Sequence, residues 1–371
     1  MFANCHDESI RWLRMILCSI AAAMLMETTS CATATAAEEI PLPPMTDPSY
    51  DTTGVVYDGL PTFGAPLWTS YALTDALFWG RDNQAVNRPL VVAVGSDAPV
   101  ISARDLQFPF SEGVRAFYGQ RQPCECGWEI GYFGVYGQSA TEYANSADPA
   151  FLQMPPDIGS QLSADAENAT VKYSSVINSA EANVFSTTHE WRESAQGWLT
   201  VDWLAGFRYV GVEEQASIEV DSCSTCVGPN VVNVPYSVRT RNNMFGAQIG
   251  NRSRLTWQRW ALEGWAKAGL LGNSQEQLQS SLIDYRGFEQ RGATSSWGTG
   301  VGFIGDINMS AIYRLTDVWG IRAGYNLIWI DGLALAPNQF DFTVNSNSGT
   351  NLVSGGGIFM QGANLGLEAR W

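Results

Sequence analysis

From Trp68 to the last residue, apolar and polar positions alternate with a period of two in segments of about ten residues, separated by clusters of Gly, Pro, Asn, Asp and Ser. The final segment, 358–371, shows the pattern most plainly. Phe359, Gln361, Ala363, Leu365, Leu367, Ala369 and Trp371 fall on one face, and Met360, Gly362, Asn364, Gly366, Glu368 and Arg370 on the other. A strand that crosses an outer membrane needs this division, with apolar side chains toward lipid, polar ones toward a lumen and tryptophan at the interface. Asn364, Gly366, Ala369 and Trp371 also match the polar-x-Gly-x-x-apolar-x-aromatic ending that the barrel-assembly machinery reads.

Ten such segments are expected, at 67–80, 112–119, 127–138, 175–187, 197–212, 236–250, 255–272, 300–315, 319–331 and 358–371. Their connections alternate, long at 81–111, 139–174, 213–235, 273–299 and 333–356, short at 120–126, 188–196, 251–254 and 316–318. Long external loops, short periplasmic turns and an even strand count define an outer-membrane barrel. The fold class is therefore all-β: a closed up-and-down antiparallel transmembrane β-barrel of 10 strands. Extended stretches at 90–96 and 276–287 are assigned to loop hairpins, and moving one of them into the membrane would give 12 strands. Trp319 and Trp329 lie ten residues apart on one face. That is about 33 Å of strand and about 25 Å of height at a 40° tilt, the thickness of the apolar band. Trp128 with Tyr136 and Phe359 with Trp371 bracket their strands similarly, whereas Trp68 and Trp79 break the parity.

The start of the chain reads as an export signal over 1–36. Arg11 and Arg14 precede a twelve-residue apolar run, and Ala32-x-Ala34-x-Ala36 closes it. That run is too short for a spanning helix, so a membrane-bound chain must cross with strands. Residues 37–66 carry six prolines and read as a periplasmic linker, ahead of a barrel over 67–371. Cleavage takes two basic and three acidic residues from the formal net charge of −16, leaving −15. Phosphate binding needs a basic stripe, so nucleic acid is not an expected partner. No cofactor motif is present: Gly298-x-Gly300-x-Gly302 has no following helix.

The polar faces nominate Glu129, Glu181, Asp202, Arg208, Glu263, Lys267, Asp306, Arg314, Arg322, Glu368 and Arg370 as lumen-lining. Arg or Lys facing lipid at the midplane would cost roughly 2–4 kcal/mol each. A ten-stranded lumen is only a little wider than one that side chains fill. Cys124 with Cys126 and Cys223 with Cys226 lie at opposite ends of the expected barrel, which excludes a shared zinc and favours two local disulfides, with free thiols the alternative. Asp148, Asp157, Asp165 and Glu167 match no known calcium loop.

At this point the chain resembles a family, the putative beta-barrel porin family seven of planctomycete-type outer-membrane barrel proteins. The resemblance rests on Leu204-Ala205-Gly206-Phe207-Arg208-Tyr209, Asn243-x-Phe245-Gly246, 264–271 with Lys267, Gly324-Tyr325-Asn326 and Gly362-Ala363-Asn364-Leu365-Gly366-Leu367. Pro337-Asn338-Gln339 stands where an arginine-proline-glycine-aspartate run is expected of typical members. The resemblance implies an outer-membrane barrel with pore activity. Two functions are carried forward: porin-like passage of small solutes, or a non-conducting structural or adhesive barrel acting through its loops. A barrel-borne hydrolase comes third, with His189 as the sole histidine after cleavage and placed in a short turn. Outer-membrane lipid and the barrel-assembly machinery are the expected partners.

Overall fold

The structure is a computed structural model that describes residues 70–122, 126–146, 151–155, 166–191, 197–222, 233–284, 287–345 and 347–371, without the side chains of 188–191. The expected signal and linker, Cys124, Cys223, Cys226, Asp148, Asp157 and Asp165 lie outside these residues.

Ten strands close on themselves: β1 (Ser70–Arg81), β2 (Ser111–Arg121), β3 (Cys126–Asn145), β4 (Ala166–Trp191), β5 (Trp198–Ser222), β6 (Asn233–Trp257), β7 (Trp260–Gln279), β8 (Thr294–Arg314), β9 (Trp319–Leu333) and β10 (Gly356–Arg370). Each pairs antiparallel with its sequence neighbours, and β10 returns to β1 from Tyr71↔Arg370 to Arg81↔Met360. The chain is a closed ten-stranded antiparallel barrel. Closure satisfies every backbone group in the spanning part without water.

One turn differs from expectation. The Asn251-Arg252-Ser253-Arg254 run has turn-like composition, yet it continues β6, and the reversal comes at Gln258 and Arg259 between the paired residues Trp257 and Trp260. Gln258 takes the left-handed conformation there, at φ 50°. No Gly or Asn marks the site, so the usual signal of a two-residue hairpin is missing.

The wall is uneven. β3 to β8 run for 20 to 26 residues, whereas β1, β2, β9 and β10 have 12, 11, 15 and 15. Much of what composition marks as loop, at 139–174, 213–235 and 273–299, is therefore strand rising above the lipid belt. The long loops fold against the inner face of this tall wall. Pro89–Ala93 pairs with Pro99–Ser102, Leu152–Gln153 extends that sheet, and Leu282–Ile283 meets Glu289–Arg291.

The outward face carries Ile249, Leu270, Met309, Ile321, Leu365 and Leu367, all exposed as lipid-facing residues must be. Aromatic rings bound this band at both ends. Trp260 lies 4.9 Å from Tyr313 near the short turns, and Tyr209 lies 4.8 Å from Phe245 toward the loops. Gly305 is needed between them, because a Cβ there would collide with the Trp329 ring. Trp79 breaks the parity for a simple reason: it points inward and is fully buried against Phe133.

Candidate functional site: the lumen and its plug

The barrel interior is stratified. In the half nearer the short turns, seven carboxylates (Asp75, Glu129, Glu181, Asp202, Glu263, Asp306, Glu368) meet eight cations (Arg115, Arg121, Arg208, Arg252, Arg254, Lys267, Arg322, Arg370) across the lumen. Arg254 donates to Glu263 at 2.9 Å and to Glu368 at 2.8 Å. Arg370 reaches the same two carboxylates at 3.1 and 2.6 Å. Arg322, with no exposed surface, sits 3.2 Å from Asp75 and 3.5 Å from Glu263. Farther round, Arg252 joins Glu129 (2.6 Å) to Asp202 (3.0 Å), Lys267 joins Glu129 (3.3 Å) to Glu181, and Arg208 holds Asp306 at 3.0 Å. Tyr71 donates its hydroxyl to Glu129, and the Trp265 indole N–H donates to Asp306 at 3.1 Å. Near-balance of opposite charge is what allows so many ions to share a low-dielectric interior. A void of about 10 Å³ between Tyr71, Glu129, Arg252 and Lys267 is about the size of one water.

Adjoining the ions, Asn308, Asn326 and Asn364 bond to one another at 2.7 to 3.3 Å. Next comes an apolar layer supplied by the wall, including Leu77, Trp79, Phe133, Ile177, Val210, Met244, Ile304, Ile328 and Met360, all buried. This layer departs from the rule of a polar lumen. A small barrel has no room for water at its centre, so its inward side chains pack as a core.

Over the apolar layer lies a plug. The segment 334–340 dips into the barrel mouth and is buried throughout. Asn242 holds Ala334 from both sides: its side-chain amide donates to Ala334 O at 3.0 Å, and Ala334 N donates to its Oδ1 at 2.8 Å. Glu214 accepts from Arg81, from the Tyr173 hydroxyl at 2.9 Å and from Ala336 N at 2.9 Å. The Arg81 guanidinium also lies against the rings of Phe108 and Tyr173, at 4.6 and 5.3 Å from their centroids. Pro337, Asn338 and Gln339 form a buried 3-10 turn. Asn338 ties it to the first loop by accepting from Val86 N at 2.8 Å. Phe340 and Phe342 then pack on Tyr236 at 5.1 and 5.8 Å, inside an apolar cluster that includes Leu90, Leu106, Leu152 and Ile218. Asp341 closes the segment. Burial acts to raise its carboxyl, but the Thr343 hydroxyl and the amides of Gly349 and Thr343 outweigh that and hold its pKa below the usual range.

Of the eleven residues nominated from the polar faces, the structure brings ten into the ionic layer. Arg314, at the end of β8, is half-buried and makes no ion pair among the described residues. Sequence reasoning missed Asp75, Arg81, Arg115, Arg121, Glu214, Arg252 and Arg254. Arg252 and Arg254 share the parity of Gln248, a signal that the misplaced turn concealed. Asp75 lies between Leu73 and Leu77 on an apolar-looking inner face, which no alternation rule marks as lumen.

At the chain's end Asn364 is buried among the asparagines, and Gly366 allows close approach to Asp75, where a Cβ would clash. Ala369 pairs with Ala72 and Trp319, and Trp371 is half exposed, with Trp371 N donating to Ser70 O at 3.0 Å. His189 belongs to the last turns of β4, paired with Val201 rather than in a connecting turn. Cys126 opens β3, its thiol directed at Gln122 Oε1 at 3.7 Å. Glu167 lies in β4. Among the described residues no three His, Cys, Asp or Glu side chains converge as metal ligands would.

The outer membrane protease OmpT from Escherichia coli is similar at 11% identity and a TM-score of 0.43, covering 82% of this chain and 94% of that one. The Pseudomonas putida toluene transporter TodX is similar at 10% identity and a TM-score of 0.26, covering 82% and 90%. A Pseudomonas aeruginosa FadL homologue gives 7% identity and a TM-score of 0.21, covering 82% and 90%. No curated protein matches the chain. The family model described as Putative beta barrel porin-7 matches residues 105–371. The chain belongs to that family and is an outer-membrane β-barrel.

Proposed function

We propose that this barrel does not conduct and acts at the cell surface through the tall wall and the loops folded onto it, the second of the two functions carried forward from the sequence. One observation carries the reading: the lumen is filled over its whole height, by paired ions, then an apolar layer, then the plug. A passing solute would have to break a nearly charge-balanced ion-pair network and displace buried leucine, isoleucine and tryptophan side chains in succession. Porin-like passage therefore has no open path among the described residues. The hydrolase reading loses its geometry too, since His189 lies at the short-turn end of β4 and the loops at the other.

Single-channel recording of the intact barrel in a planar bilayer tests this. The expected trace is flat at moderate voltage. A stable ohmic current from the folded protein would overturn the reading and restore passage of small solutes.

A further inference from the structure

The rising part of the wall is an open sheet, and open sheets have edges. β8 pairs with β7 from Thr294 to Tyr313 but with β9 only from Phe303 downward. The amide of Arg314 donates toward Arg259 on the β7 side and that of Leu315 toward Trp319 on the β9 side. Carried up the strand, this parity turns the N–H and C=O of Ser295, Trp297 and Thr299 to the open side. None of the three has a hydrogen-bond partner there among the described residues. The base of the edge is closed by Gly332, which folds against the Val301 carbonyl.

Natural edges are blunted by charge, proline or a bulge. The molecule applies these devices elsewhere. Edge strand Pro99–Ser102 begins with proline, and the upper part of β3, which pairs only with β4, carries Glu142 and a register shift after Val135. The run Thr294-Ser-Ser-Trp-Gly-Thr-Gly has no charge, no proline and no bulge. Its outward side chains include Trp297, which is 77% exposed above the aromatic ring of Phe303 and Trp329. An aromatic next to a β-branched residue on one face suits cross-strand pairing.

We infer that Ser295, Trp297 and Thr299 form a strand-addition site that takes an extended, basic segment of a partner polypeptide, running antiparallel to β8 and so away from the membrane. Charge selects the occupant. The ionisable side chains nearest by register are acidic, Glu276 opposite Trp297 and Asp331 opposite Phe303. A second copy of this chain, at a formal net charge of −15 once residues 1–36 are removed from the −16 of the whole, is repelled by the same groups. The inference deepens the surface role proposed above and rests on it.

The test uses the full-length barrel in detergent micelles and a fluorescein-labelled nonapeptide of alternating lysine and valine, followed by anisotropy. A companion peptide has alternate amides N-methylated and cannot add to an edge. Thr299→Pro removes an amide that bonds to nothing among the described residues, and proline is tolerated on edges. Trp297→Lys sets a cation against the basic strand. Retained heat-modifiable migration on a denaturing gel reports that both variants still fold.

Wild type is expected to bind the first peptide, with at least tenfold weaker binding for either variant and for the N-methylated peptide. Equal binding of both peptides, unchanged binding by both variants, or no binding to wild type overturns the site. Concentration-dependent dimerisation that Thr299→Pro abolishes would assign the edge to a second copy and overturn the choice of partner. The two proposals fail separately. A conducting barrel that binds the peptide sinks only the sealed lumen, and a silent barrel that ignores it sinks only the edge.

Discussion

The two ends of the lumen are closed by different physics. Near the short turns, side chains rooted in neighbouring and opposite strands meet as ions, and among the described residues no loop takes part. At the other end the wall supplies apolar side chains, and connecting segments fold in to cover them through backbone hydrogen bonds to Glu214, Asn242 and Gln279. In the ionic layer each charge is shared among several partners, so losing one ion leaves several others less well compensated in low dielectric. A plug made of loop backbone is held by several separate contacts and can loosen locally while the barrel stays shut beneath it.

Breaking the ionic layer should therefore cost most and be felt globally. Arg322→Ala leaves Asp75, Glu263 and Glu368 short of a cation, and a loss of about 3–5 kcal/mol is expected from urea unfolding followed by tryptophan fluorescence. Loop cleavage by protease under native conditions should hardly change. Glu214→Ala should cost somewhat less, about 3 kcal/mol, because it isolates one buried cation, Arg81. Its signature is local: faster proteolysis within 334–342, with Ala336 N left without its acceptor. If Glu214→Ala and Arg322→Ala gave the same proteolysis pattern, the distinction between the two layers would be lost.

Asn242→Ala removes both hydrogen bonds to Ala334 and should cost about 1–2 kcal/mol, again with proteolysis confined to the plug. The smallest effect is expected from acid. Asp341 is held below the usual carboxylate range in the folded protein, so its contribution is complete above the unfolded pKa of about 3.9 and is lost as pH falls through the lower folded value. Hydrogen exchange of the Gly349 and Thr343 amides should rise in that acid window relative to neighbouring loop amides. Asp341→Asn should abolish the extra pH dependence.

Several features were legible without coordinates. Alternation along 358–371 or 319–331 reports which side chains share a face, and the repeat of such segments gives a strand number that closure then requires. Charges that recur on one parity, as Glu263 and Lys267 do, must face away from lipid whatever their partners. The placement of the β6–β7 turn was not legible, because Gln258 and Arg259 carry none of the residues that favour a reversal while Asn251 and Ser253 do. Nor was Asp75, whose neighbours of the same parity are apolar.

Amino-acid order by itself determined the strands, their lipid face and the acid–base content of the interior, since these depend on each residue and its neighbours two positions away. Only the tertiary structure decided which ions meet, because Arg254 and Glu368 are brought together by barrel closure across more than a hundred residues. It also decided that the described part of the last loop folds into the barrel mouth. Whether a loop reaches outward or folds in depends on the space left by all ten strands at once, and on hydrogen-bond partners such as Glu214 and Asn242 that local pattern does not pair with Ala336 or Ala334.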